Sequence, residues 1–151
     1  MSSQLIINNE IIQGSQEWLD LRKTKITATD ACVIMGESSW KTIIQLYEEK
    51  ISQENNTFVN QYMQRGLDLE PIARDLFCLQ TGIEVNPAII IKDWTMASLD
   101  GISECGKFIV EIKCPGKKDH DLALQGKVPN HYYPQLQHQM YVADVQFAYY
   151  F

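Results

Sequence analysis

Nowhere in these 151 residues is there an apolar run close to the length of a membrane span, nor a basic-then-apolar leader. The expectation is therefore a chain without a spanning helix or secretory signal, working in the cytoplasm. Cysteine is present but never paired in sequence: Cys32, Cys78, Cys105 and Cys114 form no C-x-x-C motif. Scattered in this way they read as reduced thiols, and they supply neither a zinc site nor the clustered set that an iron–sulfur centre needs. His120, His131 and His138 share no metal-ligand spacing and read as surface residues. Basic charge is also short, since 13 Lys and Arg against 19 Asp and Glu leave a net charge of −6. A protein that grips DNA through its phosphates normally carries a basic face, so any such grip here has to be local. Arg22, Lys23 and Lys25 crowd one segment, and Lys113, Lys117 and Lys118 crowd another. What remains is 45% hydrophobic and 21% charged, a globular composition long enough for one domain with its own core.

The segment from Ser98 to Cys114 carries the chemistry. It reads Ser-Leu-Asp-Gly-Ile, a short polar turn, then Lys-Phe-Ile-Val-Glu-Ile-Lys-Cys. Asp100 precedes a turn, and Glu111 and Lys113 end a β-rich run as acid-x-Lys. A phosphodiester is cut by water when a hard divalent cation neutralises phosphate charge and acidifies the water. Mg²⁺ needs only a few carboxylate oxygens and keeps several waters. If residues 103–106 form a hairpin loop, Ile102 faces Lys107, Asp100 faces Ile109, and Ser98 faces Glu111. Alternation then gathers Ser98, Asp100, Glu111 and Lys113 on one face, with Ile109 an awkward neighbour. The competing reading is an Asp-Gly turn followed by an ordinary solvated strand face, and these residues alone do not decide between the two.

Other blocks do. Gly14 to Asp30 (GSQEWLDLRKTKITATD), Arg65 to Phe77 (RGLDLEPIARDLF), Ser98 to Gly101, Val110 to Pro115 (VEIKCP) and Tyr132 to Tyr141 (YYPQLQHQMY) follow one another in order. Together they resemble the YqaJ-like viral recombinase family, which includes the phage lambda exonuclease, within the PD-(D/E)xK nuclease superfamily. The resemblance runs over about residues 14–142. It implies an α/β fold with a restriction-endonuclease-like core, a mixed central β-sheet flanked by helices. It also implies a single nuclease domain over residues 1–151 that lacks the C-terminal part usual in the family.

By resemblance, Glu70 of Gly66-x-x-x-Glu70 joins Asp100, Glu111 and the Ile112 carbonyl in holding Mg²⁺, with Mn²⁺ able to substitute. Lys113 positions the attacking water, and Gln135, in the family's Tyr-x-x-Gln position, touches that water or the lysine. Gln137 and Gln139 compete for that role, because Gln137-x-x-x-Tyr141 mimics a motif of neighbouring nucleases; Gln135 and Gln139 lie one helical turn apart. Arg22, Thr29 and Ser98 match positions that cradle the 5′-phosphate of the digested strand, Thr29 standing where the family usually has Ser. A guanidinium fork and a hydroxyl near a helix start suit that implied role, although spacing alone is equally that of a surface helix arginine. Trp18 is expected in the core. The implied activity is Mg²⁺-dependent 5′→3′ digestion of linear double-stranded DNA from its ends, serving phage-type recombination. Implied partners are a single-strand annealing protein and further copies in a homo-oligomeric ring, with no membrane. An endonuclease or repair nuclease on the same core is one alternative. A catalytically silent DNA-binding recombination protein is another.

The local signals predict the remaining elements. Leu5–Ile7 and Ile11-Ile12 read as short strands, and Ser15 as the cap of a helix carrying Trp18 and Arg22. Thr27 or Thr29 caps the next helix, stopped by Gly36, and Ser38 or Ser39 opens a third. The polar run 52–57 is a loop. A long helix from Phe58 to Gln80 is kinked by Pro71 and closed at Thr81-Gly82. Strands Ile83–Val85 and Ala88–Ile91 are split by Asn86-Pro87. After Pro115 come helix and loop, then a helix entered at Pro134, and finally a strand from Gln146.

Overall fold

The computed structural model describes residues 11–52 and 60–151. Three short helices come first, and each is set by a capping hydroxyl. In α1 (Gln16–Thr24) the Ser15 side chain accepts from the Trp18 amide. In α2 (Ala28–Ile34) Thr27 rather than Thr29 is the cap, and Asp30 reaches back to complete a capping box. The third helix, α3 (Ile43–Ile51), starts later than expected because Thr42, not Ser38 or Ser39, is its cap; only Thr42 has a glutamine, Gln45, placed to return the bond. Ser38 instead accepts from the Lys41 amide at 3.2 Å in the turn before it. The Lys50 ammonium fastens the three helices together. It pairs with Asp30 at 2.6 Å and donates to the carbonyls of Arg22 and Lys25 at 2.6 and 2.8 Å.

Helix α4 (Gln61–Thr81) starts at the Asn60 cap and continues through Pro71 to Gly82. Gly82 sits at φ 70°, and its amide closes the helix on Cys78. A left-handed position of this kind is one that glycine occupies without penalty. The expected start at Phe58 and the Leu5–Ile7 piece lie outside the described residues, while Ile11 and Ile12 form no strand. Strand β1 (Val85–Lys92) is one strand and not two. It pairs antiparallel with β2 (Thr95–Ser103), which pairs antiparallel with β3 (Ile109–Glu111). Helix α5 (Lys117–Leu124), a 3₁₀ turn at Asn130–Tyr132 and α6 (Tyr133–Ala143) lead to β4 (Ala148–Tyr150), parallel to β3. The sheet order is β1-β2-β3-β4, so the sheet is mixed.

Two cores cover the sheet. On one side Ile90, Leu99, Ile102 and Ile109 pack against Val142, Ala143 and Val145 at the end of α6. On the other, Val85, Val110 and Ile112 pack on Phe77 of α4, whose ring meets Tyr149 and Phe151 edge-on. Burying a side chain such as Phe77 contributes about 1.5–3 kcal/mol. Strand β3 is thereby clamped between two helices, which is why its polar residues are so deeply placed. No helix among the described residues is long and apolar enough to cross a membrane.

Candidate functional site

The hairpin register differs from the one expected. Ile102 pairs with Ile109 and Gly101 with Val110, so β3 is displaced by two residues relative to the tight-loop reading. Asp100 does not face Ile109, and Ser98 does not face Glu111. The loop is longer, and the Ser103 hydroxyl ties it by accepting from the amides of Lys107 and Phe108 at 3.2 and 3.3 Å. The reason is burial: Ile109, awkward beside two acids, goes into the core against Ile102.

A β-bulge makes the second adjustment. Asn86 faces Ile102 while Ala88 faces Leu99, so Asp100 and Gly101 together stand against Pro87. Proline has no N–H for the ladder, and a bulge is where a strand tolerates it. The bulge lets Leu99 and Ile102, three apart, share one core. Gly101 has no room for a side chain, because a Cβ there would lie 2.8 Å from Val85 Cγ2.

Glu111 is the hub. Only 1% exposed, it contacts the Lys113 ammonium directly. Its Oε1 also accepts from Gln135 Nε2 at 2.7 Å and its Oε2 from Gln139 Nε2 at 2.5 Å. Gln135 was expected to touch a water or the lysine; instead α6 presents both Gln135 and Gln139 to Glu111, while Gln137 stays exposed. The Gln139 Oε1 is buried with no partner among the described residues. Asp100 Oδ2 accepts from the Ile112 amide at 2.8 Å. Burial, reinforced by the charge of Glu111, pushes the Asp100 carboxyl up to about 8. Glu70, on α4, is paired with Arg74, whose Nε also donates to the Asp100 carbonyl at 2.5 Å. Burial and then Glu111 hold the Glu70 carboxyl above its usual range, against the opposing pull of Arg74. For Lys113, burial alone would lower the ammonium, but Glu111 and Asp100 outweigh it and the group stays protonated well above its ordinary value.

Three acids thus face one another electrostatically in a poorly hydrated spot with one lysine between them. Among the described residues no three His, Cys, Asp or Glu side chains converge closely enough to hold a metal unaided. A hard cation that retains waters does not require three, since one or two carboxylates suffice. The donor set is oxygen-rich, and Asp100, whose carboxyl is held at about 8 by burial and by Glu111, has a proton to give up to a cation; the set fits such an ion.

The second set of expected residues also comes together, through a residue assigned to the core. Trp18 donates from Nε1 to Ser98 Oγ at 2.9 Å, and the Arg22 guanidinium lies 4.5 Å over its ring. Arg22 Nη2 donates to Thr29 Oγ1 at 3.3 Å. Arg22, Thr29 and Ser98 are therefore linked, with half-buried Trp18 as the bridge. Burial lowers the Arg22 guanidinium, and Asp30 and Glu49 oppose it. The sequence reading missed Arg74, whose signal was its place four residues after Glu70, and gave Tyr132 no role. Tyr132 presents its ring 5.0 Å from the Lys113 ammonium.

The chain matches the model of the YqaJ-like viral recombinase domain over residues 17–146. Its backbone resembles that of an alkaline exonuclease from Laribacter hongkongensis at 29% identity and a TM-score of 0.73, covering 90% of this chain and 74% of that one. The same enzyme solved in complex with dAMP gives 28% and 0.70, covering 89% and 74%. A phage-related exonuclease from Haemophilus somnus 129PT matches at 21% identity and a TM-score of 0.62, over 84% of this chain and 68% of that one, a likeness of fold. An uncharacterized protein of Acanthamoeba polyphaga mimivirus is 26% identical over 152 residues, which is 88% of this chain and 27% of that relative's length. The fold is restriction-endonuclease-like, a mixed sheet between helices, as its likeness to the alkaline exonuclease makes plain.

Proposed function

The chain belongs to the YqaJ-like viral recombinase family, and from that premise we propose that it is a metal-dependent deoxyribonuclease digesting linear duplex DNA from its ends, 5′→3′, for phage-type recombination. The observation that carries the reading is Glu111, a buried carboxylate held by Lys113, Gln135 and Gln139 beside Asp100 and Glu70. An ordinary solvated strand face has no such arrangement. Asp100, Glu111 and the Ile112 carbonyl would hold Mg²⁺ or Mn²⁺, with Glu70 reached directly or through water. When bound, such an ion supplies the positive charge that offsets the phosphate and acidifies water.

The rest falls to the chain's own groups. Lys113 keeps its proton, so it acts as a hydrogen-bond donor and not as a base. One of its three N–H groups is spent on Glu111, and the others remain to hold the attacking water in line with phosphorus. Gln135 and Gln139 fix the Glu111 carboxylate from both oxygens, so its direction is set before substrate arrives. Arg22 offers a planar fork to a terminal 5′-phosphate, and the hydroxyls of Thr29 and Ser98 add donors beside it. Arg22 and Thr29 hold each other, and Ser98 accepts from Trp18.

The test is incubation of 5′-end-labelled linear duplex and covalently closed circular duplex with the protein, with and without Mg²⁺. The proposal expects label released from the linear substrate only when Mg²⁺ is present, with the circle intact. Nicking or linearisation of the circle at a similar rate would replace the exonuclease reading with an endonuclease one. No cleavage of either would favour a silent binding protein.

A further inference from the structure

Beside the proposed centre lies an open cleft of about 640 Å³, within the usual size range of small-ligand sites. A row of aromatic rings runs into it from the lysine. Tyr132 lies 5.0 Å from the Lys113 ammonium, His131 stands 4.1 Å from Tyr132 by ring centres, and Trp40 meets His131 edge-on at 5.9 Å. Asp119 holds the His131 ring through Nε2 at 3.2 Å, so the row is fixed at its middle. Trp40, at its outer end, is 62% exposed. A T-shaped contact covers at most one face of the Trp40 ring, and an exposed indole face is a surface on which a nucleobase stacks.

The cleft is lined by charge of both signs, the carboxylates Glu37 and Asp119 together with two lysines. Lys117 and Lys118 begin α5 and line the cleft. Lys117 pairs with Asp121 at the exposed surface, a contact of little strength that a phosphate displaces easily. No side chain caps α5, so its first backbone amides are available to an anion as well.

We propose that this cleft is a subsite for an unpaired DNA nucleotide, its base stacked on Trp40 and its phosphate held by Lys117 and Lys118. The choice of DNA rests on the nuclease reading above; the stacking and charge do not. The subsite lets the chain hold a strand that has left the duplex next to the place where a phosphodiester would be cut.

The test uses the full chain in EDTA, which prevents any metal-dependent cleavage. A fluorescein-labelled oligo-dT decamer and a decamer of abasic residues are titrated with wild type, Trp40→Ala and Trp40→Phe. The expected result is tighter binding of the oligo-dT than of the abasic strand by the wild type. Trp40→Ala weakens oligo-dT binding by about fivefold to a hundredfold and erases the difference from the abasic strand, while Trp40→Phe keeps most of it. Because Trp40 is exposed, the alanine variant retains the fold. Equal wild-type affinity for the two strands, or unchanged affinity in Trp40→Ala, overturns the subsite. Displacement of the oligo-dT by thymidine 5′-monophosphate at comparable concentration assigns the cleft to a released mononucleotide and overturns the strand proposal. Cleavage assayed with Mg²⁺ on the same preparations keeps the two readings apart. Absent cleavage with Trp40-dependent binding removes the nuclease reading alone, and cleavage with Trp40-independent binding removes the subsite alone.

Discussion

The carboxylate centre and the Arg22 cluster are built on opposite principles. Glu111 lies on a strand clamped between α4 and α6, and each of its oxygens is held by side chains brought from distant segments. Arg22 and Thr29 sit on neighbouring short helices and hold each other at 3.3 Å near the surface, with Ser98 tied in through Trp18. The first arrangement depends on strand register and a bulge. The second depends on helix capping and on the Lys50 staple. A buried centre whose bonds are already made is fixed for chemistry, whereas a half-open set of donors that satisfy one another can exchange those bonds for an anion. The two regions should therefore fail separately.

The largest expected effect tests the centre. Lys113→Ala should lower the cleavage rate by about 10²–10³-fold, the range expected for loss of one positioned hydrogen-bond donor. Binding of linear duplex, measured in EDTA, should survive. A comparable loss of binding would mean the two regions are not separable.

Next comes the cluster. Wild type should degrade duplex bearing a 5′-phosphate faster than duplex bearing a 5′-hydroxyl. Arg22→Ala should erase about tenfold to a hundredfold of that preference by removing a charge-assisted contact. Equal wild-type rates on the two ends would leave the cluster without a phosphate to hold.

A smaller effect comes from the bulge. Gly101→Ala pushes a methyl against Val85 and should cost about 1–3 kcal/mol of stability in thermal melts, as overpacking does. Cleavage should fall with it, while the 5′-phosphate preference of the residual activity should persist.

The subtlest effect is one of sign. Asp100 ionises near 3.8 in the unfolded chain and near 8 in the folded one. Between those values the folded chain keeps a proton that the unfolded chain has lost, so this group's contribution to stability declines as pH rises. Metal-free Asp100→Asn should melt above the wild type at pH 8, with the gap closing toward pH 4. A gap that widens on acidification would reverse the assigned shift.

What could be read from the sequence was mostly local. Ser15, Thr27 and Gly82 announce helix ends by their own chemistry, and they do so in the structure. Thr42 was passed over for Ser38 and Ser39, although its partner Gln45 marked the capping box. Long-range choices were less legible. The hairpin register follows from where Ile109 finds a core, and that core is made with residues of α6 far along the chain. Pro87 read as a break because the bulge that absorbs it is formed by the opposite strand. Gln139 looked like part of a polar helix face, since its partner Glu111 lies 28 residues away. That Glu111 and Lys113 lie side by side was legible at any register, because acid-x-Lys spacing puts both side chains on one face of an extended segment.

The most direct test of the account asks whether the buried acids form a cation site. Mn²⁺ is titrated calorimetrically into wild type and into Glu111→Gln at pH 8, in the absence of DNA. The account predicts saturable binding by the wild type that tightens as pH rises through the Asp100 titration, because ligands must be deprotonated. It predicts loss of that binding in Glu111→Gln, with the folded state retained by circular dichroism. Identical isotherms for the two proteins would contradict it.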